Sequence, residues 1–272
     1  MTRFLFALGA MLVACAAPAG AVSLSDALVD RMRGAQVVLL GEVHDNPAHH
    51  RVQAEAVAAL APRAVVWEML TAQVAAQLTA EIIADPAALA EVTDWDKSGW
   101  PPLEFYLPVF QAASGAAQFG ALVPRSTARA VMETGAAAHF GEDAARYGLA
   151  DPLPEDEQAA READQLAAHC DAMPPQMLPM MVEIQRLRDA VLARAVLRAL
   201  EETGGPVAVI TGNGHARADR GVPVYLQSAA PDVAVFALGQ SEDGQVSGQF
   251  DAVMDGPVTQ RPDPCAGFAK PD

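Results

Sequence analysis

An α/β fold, with a mostly parallel sheet flanked by helices and an inserted helical subdomain, follows from three features of the sequence. Two apolar runs, Val37–Leu40 and Val207–Ile210, read as buried strands, and each is followed within a few residues by glycine and then histidine. Strand-like and helical stretches alternate along the chain, the order that builds βαβ units. The 272 residues, 51% of them apolar, are enough to bury a full core.

Taken in order, residues 24–32 predict a short helix capped by Ser23 or Ser25, leading into the strand at Val37. Asn46 supplies a capping side chain and Pro47 suits a first helical turn, so a second helix starts there. That helix sets Val52, Ala56, Val57, Ala59 and Leu60 on one side and closes at Pro62, with His49 and His50 in a solvated first turn. Residues 64–69 predict another strand, again ending in an acid, and a strand, helix and strand within about 35 residues imply parallel strands. Helical stretches over 71–83 and 86–92 precede an aromatic segment from Trp95 to Phe110. Residues 121–124 predict a short strand with Arg125 and Ser126 at its exit and a helix over 127–134. The irregular, acidic composition of 141–175 frames the helical insertion, expected over about 71–175.

The longest helix is expected over 177–202. Met180, Ile184, Leu187, Val191 and Ala195 form one stripe at about 100° per residue, and Arg188 falls inside the apolar sector with Gln185 and Asp189 at its side. Polar groups in such a place need partners or a ligand. Gly204-Gly205-Pro206 ends the helix, residues 233–238 predict a further strand, and 250–254 an edge strand. A loose tail is expected over 259–272, so that the folded domain spans 22–258.

The formal charge of −16 makes nucleic acid an unsuitable partner. Residues 1–21 have the pattern of an export signal: Arg3, an apolar run, then Ala19-Gly20-Ala21. Two processing routes fit, a cut after Ala21 and a lipoprotein box, Leu12-Val13-Ala14-Cys15, with Cys15 acylated and anchored to a membrane. Both give an exported protein, periplasmic or held at the outer membrane. Cys170 and Cys265 then remain in an oxidising compartment, as a disulfide or as free thiols.

Gly41-Glu42-Val43-His44 and Gly212-Asn213-Gly214-His215 put the same Gly-x-x-His pattern at two strand ends. Parallel strands deliver both loops to one edge of the sheet, where Glu42, His44 and His215 form a set suited to a divalent metal ion or to acid–base work. Taken singly, either histidine reads as a structural one; the pair with Glu42 favours function. His139 and His169 have no such context and read as surface residues. Tyr106 offers a phenolate for haem iron, beside the flat rings of Trp100 and Phe105, although aromatic stripes are more commonly core.

The run Gly41-Glu42-Val43-His44-Asp45-Asn46-Pro47-Ala48-His49-His50 closely resembles the opening motif of the ChaN-like haem-binding proteins, and Gly212-Asn213-Gly214-His215 their closing one. Val123-Pro124-Arg125, Gln185 and Asp189, Gly221-Val222-Pro223 and the segment from Phe250-Asp251 to Pro257 follow in the family's order. That family is similar in turn to the Tiki, erythromycin-esterase and TraB superfamily of metal-dependent hydrolases. The resemblance implies an exported, often lipid-anchored haem-binding protein of iron acquisition, working with envelope uptake proteins and able to form a homodimer. The ligand set it implies draws on Tyr106, His44, His215, Arg125, Gln185 and Asp189. The alternative is a hydrolase in which Glu42, His44 and His215 activate a metal-bound water.

Overall fold

The computed structural model describes residues 23–263 and 265–268, so the expected export signal and Cys15 lie outside the described residues. Six strands form one parallel sheet: β1 (Val37–Leu40), β2 (Ala64–Trp67), β3 (Ala117–Gly120), β4 (Val207–Ile210), β5 (Val235–Glu242) and β6 (Ala252–Gly256), in the order β3-β2-β4-β1-β5-β6. The central strands β1, β2 and β4 are buried throughout, as expected of all-apolar strands covered on both faces.

Before β3 the helices are α1 (Asp26–Arg33), α2 (Pro47–Leu60), the short α3 (Ala72–Ala75), α4 (Ala80–Ala84), α5 (Pro86–Thr93) and α6 (Trp95–Ser98), and α7 (Leu103–Ala112). After it come α8 (Arg125–Thr134), α9 (Ala136–Phe140), α10 (Glu155–Ala168), α11 (Leu178–Thr203), α12 (Asn213–Ala216) and α13 (Val222–Ala229). Ser25 caps α1 and Asn46 caps α2 through their side chains. Alternate strand residues feed two cores. Val38, Leu40, Val65, Trp67 and Ile210 pack with α1, α2 and α7, whereas Leu39, Val66, Val207 and Val209 pack with α8, α11 and α13. α11 ends where Gly204 takes φ 77°, a left-handed conformation that glycine adopts without strain.

Several elements differ from expectation. β1 and β2 are parallel but not neighbours, because β4 lies between them. The third strand occupies 117–120 rather than 121–124; as an edge strand it tolerates a polar residue, and the more apolar Ala121, Leu122 and Val123 line a cleft instead. The stretch 71–175 contains β3 and sends α7 and α8 to opposite faces of the sheet, so it is not a separate helical body. The helix expected over 71–83 breaks in two, with Thr79 capping the second piece. The segment after β6 is tied down in its described part. Arg261 pairs with Asp45 and Glu242, at 2.8 Å and 2.7 Å, and Cys265 forms a disulfide with Cys170.

One consequence of this topology concerns β1 and β4, which are adjacent yet lead into helices on opposite faces, α2 and α13. Such a reversal opens a crevice at the carboxyl ends of the two strands.

Candidate functional site

His44 follows β1 and His215 follows β4, so the crevice receives both rings. Gly212 makes the close approach feasible: a Cβ at that position would sit 3.0 Å from His44 Nε2. Each imidazole is fixed from behind by a buried carboxylate. His44 Nδ1 donates to Glu42 Oε1 at 2.6 Å, and His215 Nδ1 donates to Asp189 Oδ1 at 2.6 Å. Glu42 and Asp189 are 2% and 3% exposed, which leaves both Nε2 atoms turned outward.

Between the two outward nitrogens stands Glu68, from the end of β2. Its Oε1 lies 3.9 Å from His44 Nε2 and 3.5 Å from His215 Nε2. Its Oε2 accepts from Thr211 Oγ1 at 2.7 Å and from the Gly212 amide at 2.8 Å. Sequence reasoning missed this residue as a site group. The available signal was the acid directly after an apolar strand, the same pattern that marks Glu42.

Burial by itself would raise the Glu42 carboxyl, yet hydrogen bonds from His44 and His50 outweigh it and hold the group well below the ordinary carboxylate range. Burial would likewise lower His44, but its hydrogen bond to Glu42 and the charge of Glu68 raise it to about 9. For His215 the charges of Glu68 and Asp189 overcome burial, and the ring is held above its usual value. Glu68 is shifted down, since the two imidazoles outweigh its own desolvation.

His49 and His50 are buried, not solvated as expected, because the first turn of α2 is covered by β5 and α7. His50 Nε2 donates to the His44 carbonyl at 2.8 Å, and its Nδ1 faces Gln53 Oε1 at 3.2 Å and Glu42 Oε2 at 3.3 Å. Acceptors at both nitrogens favour the imidazolium, which balances the buried Glu42 charge. His49 is the opposite case: its Nδ1 accepts from the Val43 amide at 2.9 Å, and burial lowers its pKa. His139 is exposed and His169 half-buried.

Tyr106 lies outside the lining of both clefts at the histidine pair. Its ring is fully buried, and its hydroxyl donates to Glu42 Oε1 at 2.7 Å. Burial, followed by the Glu42 charge, drives the phenol far above its ordinary range, which keeps the hydroxyl a donor to Glu42. Glu42 sits behind His44 with Oε1 engaged by two donors, and it borders the second of those clefts. Among the described residues no group of three His, Cys, Asp or Glu side chains is placed to hold a metal ion.

Two clefts open at the histidine pair. The first, about 460 Å³, has Trp100, Leu122, Val123 and Leu192 in its walls and is also lined by Arg125 and Arg188. The Trp100 ring meets His44 edge-on, with centroids 4.9 Å apart. The second, about 450 Å³, is lined by Arg161, Asp164, Asp189, Arg217 and Arg220. His44, His215 and Gln185 border both. His44, His215, Gln185, Asp189 and Arg125 are thus gathered around one crevice with Glu42 at its second cleft, while Tyr106 lies beneath. Carboxylate-backed imidazoles beside an apolar cleft can present nitrogen to the iron of a flat ligand once each Nε2 gives up its proton.

Residues 28–226 match the family described as haem-binding uptake, Tiki superfamily, ChaN. Among solved structures, the chain is similar to ChaN of Campylobacter jejuni, whose structure is described as cofacial haem binding. The TM-score is 0.66 and the identity 20%, over 84% of this chain and 90% of that one. It is also similar to the type III effector HopBA1, with TM-score 0.50 and 14% identity over 89% and 95% of the two chains. No curated protein matches the chain.

Proposed function

The chain belongs to the haem-binding uptake family of the Tiki superfamily that includes ChaN, and from that premise we propose an exported haem-binding protein of iron acquisition that seats haem in the first cleft, over His44 and His215. The observation that carries this reading is the pair of imidazoles. They come from opposite halves of the polypeptide, each is locked at Nδ1 by a buried carboxylate, and both turn Nε2 toward the same carboxylate oxygen of Glu68. The donor set fits haem: nitrogen ligands, an aromatic and aliphatic wall, and arginines for its carboxylates. When bound, haem would supply an iron that accepts a nitrogen donor; the chain's part is to orient the imidazoles and exclude water from the cleft. Gln185 borders the same space and offers a neutral hydrogen-bonding group. Export would follow residues 1–21, with Cys15 acylation as the anchored form, and a homodimer or an envelope uptake protein would receive the haem.

Haemin titrated into the purified folded protein should give a Soret band that His44→Ala and His215→Ala each weaken and the double variant removes. An unchanged spectrum on adding haemin to the wild type would sink the reading. The hydrolase alternative draws on His44, His215 and Glu42, whose Oε1 is already engaged by His44 and Tyr106. Stoichiometric zinc or manganese in protein purified without added metal would revive it.

A further inference from the structure

The first cleft contains a charge arrangement that the imidazoles do not explain. Among the described residues, four arginines make no ion pair, hydrogen bond or ring contact: Arg51, Arg125, Arg129 and Arg188. Two of the four line this cleft. The second cleft makes the contrast. It has three arginines, and each is neutralised: Arg161 by Glu157 at 2.6 Å, Arg217 by Asp219, and Arg220 by Asp164 at 2.7 Å. Lys97, at the rim of the first cleft, is paired with Asp94.

Arg188 occupies an awkward place for a cation without a partner. It is half-buried on α11, one turn from Ile184 and one from Leu192, both of which are buried. An uncompensated guanidinium there costs desolvation free energy, which an anionic ligand would recover. Arg125 opens α8, and its Nη2 lies where a Cβ on Gly99 would come within 2.9 Å. Gly99 has φ 82°, so the backbone alone disfavours a side chain there and the space beside the guanidinium stays open. The whole chain carries −16, so a general attraction for anions is ruled out and any anion must be held by local cations.

We propose that Arg125 and Arg188 bind the carboxylates of the tetrapyrrole in the first cleft, and so select propionate-bearing ligands over their esters independently of the iron. This rests on the haem-binding reading and adds a specificity-determining pair to it. Guanidinium and carboxylate meet through planar paired hydrogen bonds, each worth on the order of a tenfold change in affinity when partly desolvated. Because the pair acts on the ligand's edge, the iron ligands keep their geometry.

The test compares haemin with haemin dimethyl ester on wild type, Arg125→Gln, Arg188→Gln and the double variant, following the Soret band and checking folding by thermal melts. Expected are an affinity for haemin about tenfold weaker in each single variant, an unchanged Soret maximum, and an ester that binds all four proteins alike at the level of the double variant. Should the ester bind wild type as tightly as haemin, or both single variants keep wild-type haemin affinity, the arginine pair is overturned while the haem reading stands. If haemin fails to bind the wild type, both fall.

Discussion

The two Gly-x-x-His junctions share a sequence pattern and are built in different ways. At the first, the carboxylate that fixes His44 is two residues away on the same strand end, and Tyr106 and His50 complete a buried network around it. At the second, the carboxylate that fixes His215 comes from α11, 26 positions earlier in the chain, and it serves that ring alone among the hydrogen bonds of its side chain. The same chemical result, an imidazole with its Nε2 turned outward, is reached once by local geometry and once by tertiary packing. The first junction should therefore be the stiffer of the two, and the second should depend on where α11 sits.

Removing each carboxylate tests that asymmetry most severely. Glu42→Ala strips the acceptor from His44 and Tyr106 and the counter-charge from His50, and should cost about 3–5 kcal/mol of stability, the range for breaking a buried pair. Asp189→Ala should cost less, about 1–3 kcal/mol, because one ring alone loses its partner. Both should weaken haem binding by about 10–100-fold through lost orientation. Chemical denaturation and haemin titration measure the two effects, and a larger stability loss in Asp189→Ala would reverse the ranking.

Tyr106→Phe separates the network from the ligand. The substitution leaves Glu42 Oε1 with one donor fewer and should cost about 1–3 kcal/mol in the denaturation midpoint. The Soret band of the haem complex should stay in place, since the phenol lies beneath the crevice. A band that moves in this variant would return Tyr106 to the iron.

The smallest expected effect is on pH. His44 is raised from 6.5 to about 9 on folding, so its stabilising contribution is complete below the unfolded value and fades as pH climbs through about 9. The ring is 35% exposed, so solvent screening reduces the linkage to about 1–2 kcal/mol. Urea denaturation at pH 6.5 and pH 9.5 should show a loss in the wild type that exceeds the loss in His44→Gln by that amount, because His50 and His215 are raised in both proteins. An equal loss in the variant would assign it to another group.

Much of the frame was legible because it rests on short-range signals. Apolar runs locate β1, β2 and β4, Asn46-Pro47 marks the start of α2, and Gly204 marks the end of α11. Edge strands were harder, since β3 carries Gln118 where a central strand would carry an apolar residue, and so the neighbouring apolar residues 121–124 drew the assignment. His49 and His50 read as solvated because the groups that cover them, Ser241 and Tyr106, are remote in the chain. The hydrogen bond of Tyr106 was not legible for the same reason: its partner is 64 positions away. Glu68 followed the rule that flagged Glu42, but nothing nearby in sequence matched it with a histidine.

The sequence by itself determined that there would be a parallel sheet with two histidines delivered to one edge, because strand composition, turn residues and the need for crossover helices are local or topological constraints. The tertiary structure decided which acid serves which ring, that Glu68 stands between the two, and that the arginines of one cleft are paired and those of the other are not. Those outcomes depend on distances of a few ångströms between groups far apart in the chain, and on which charges are removed from water together, neither of which residue order encodes directly.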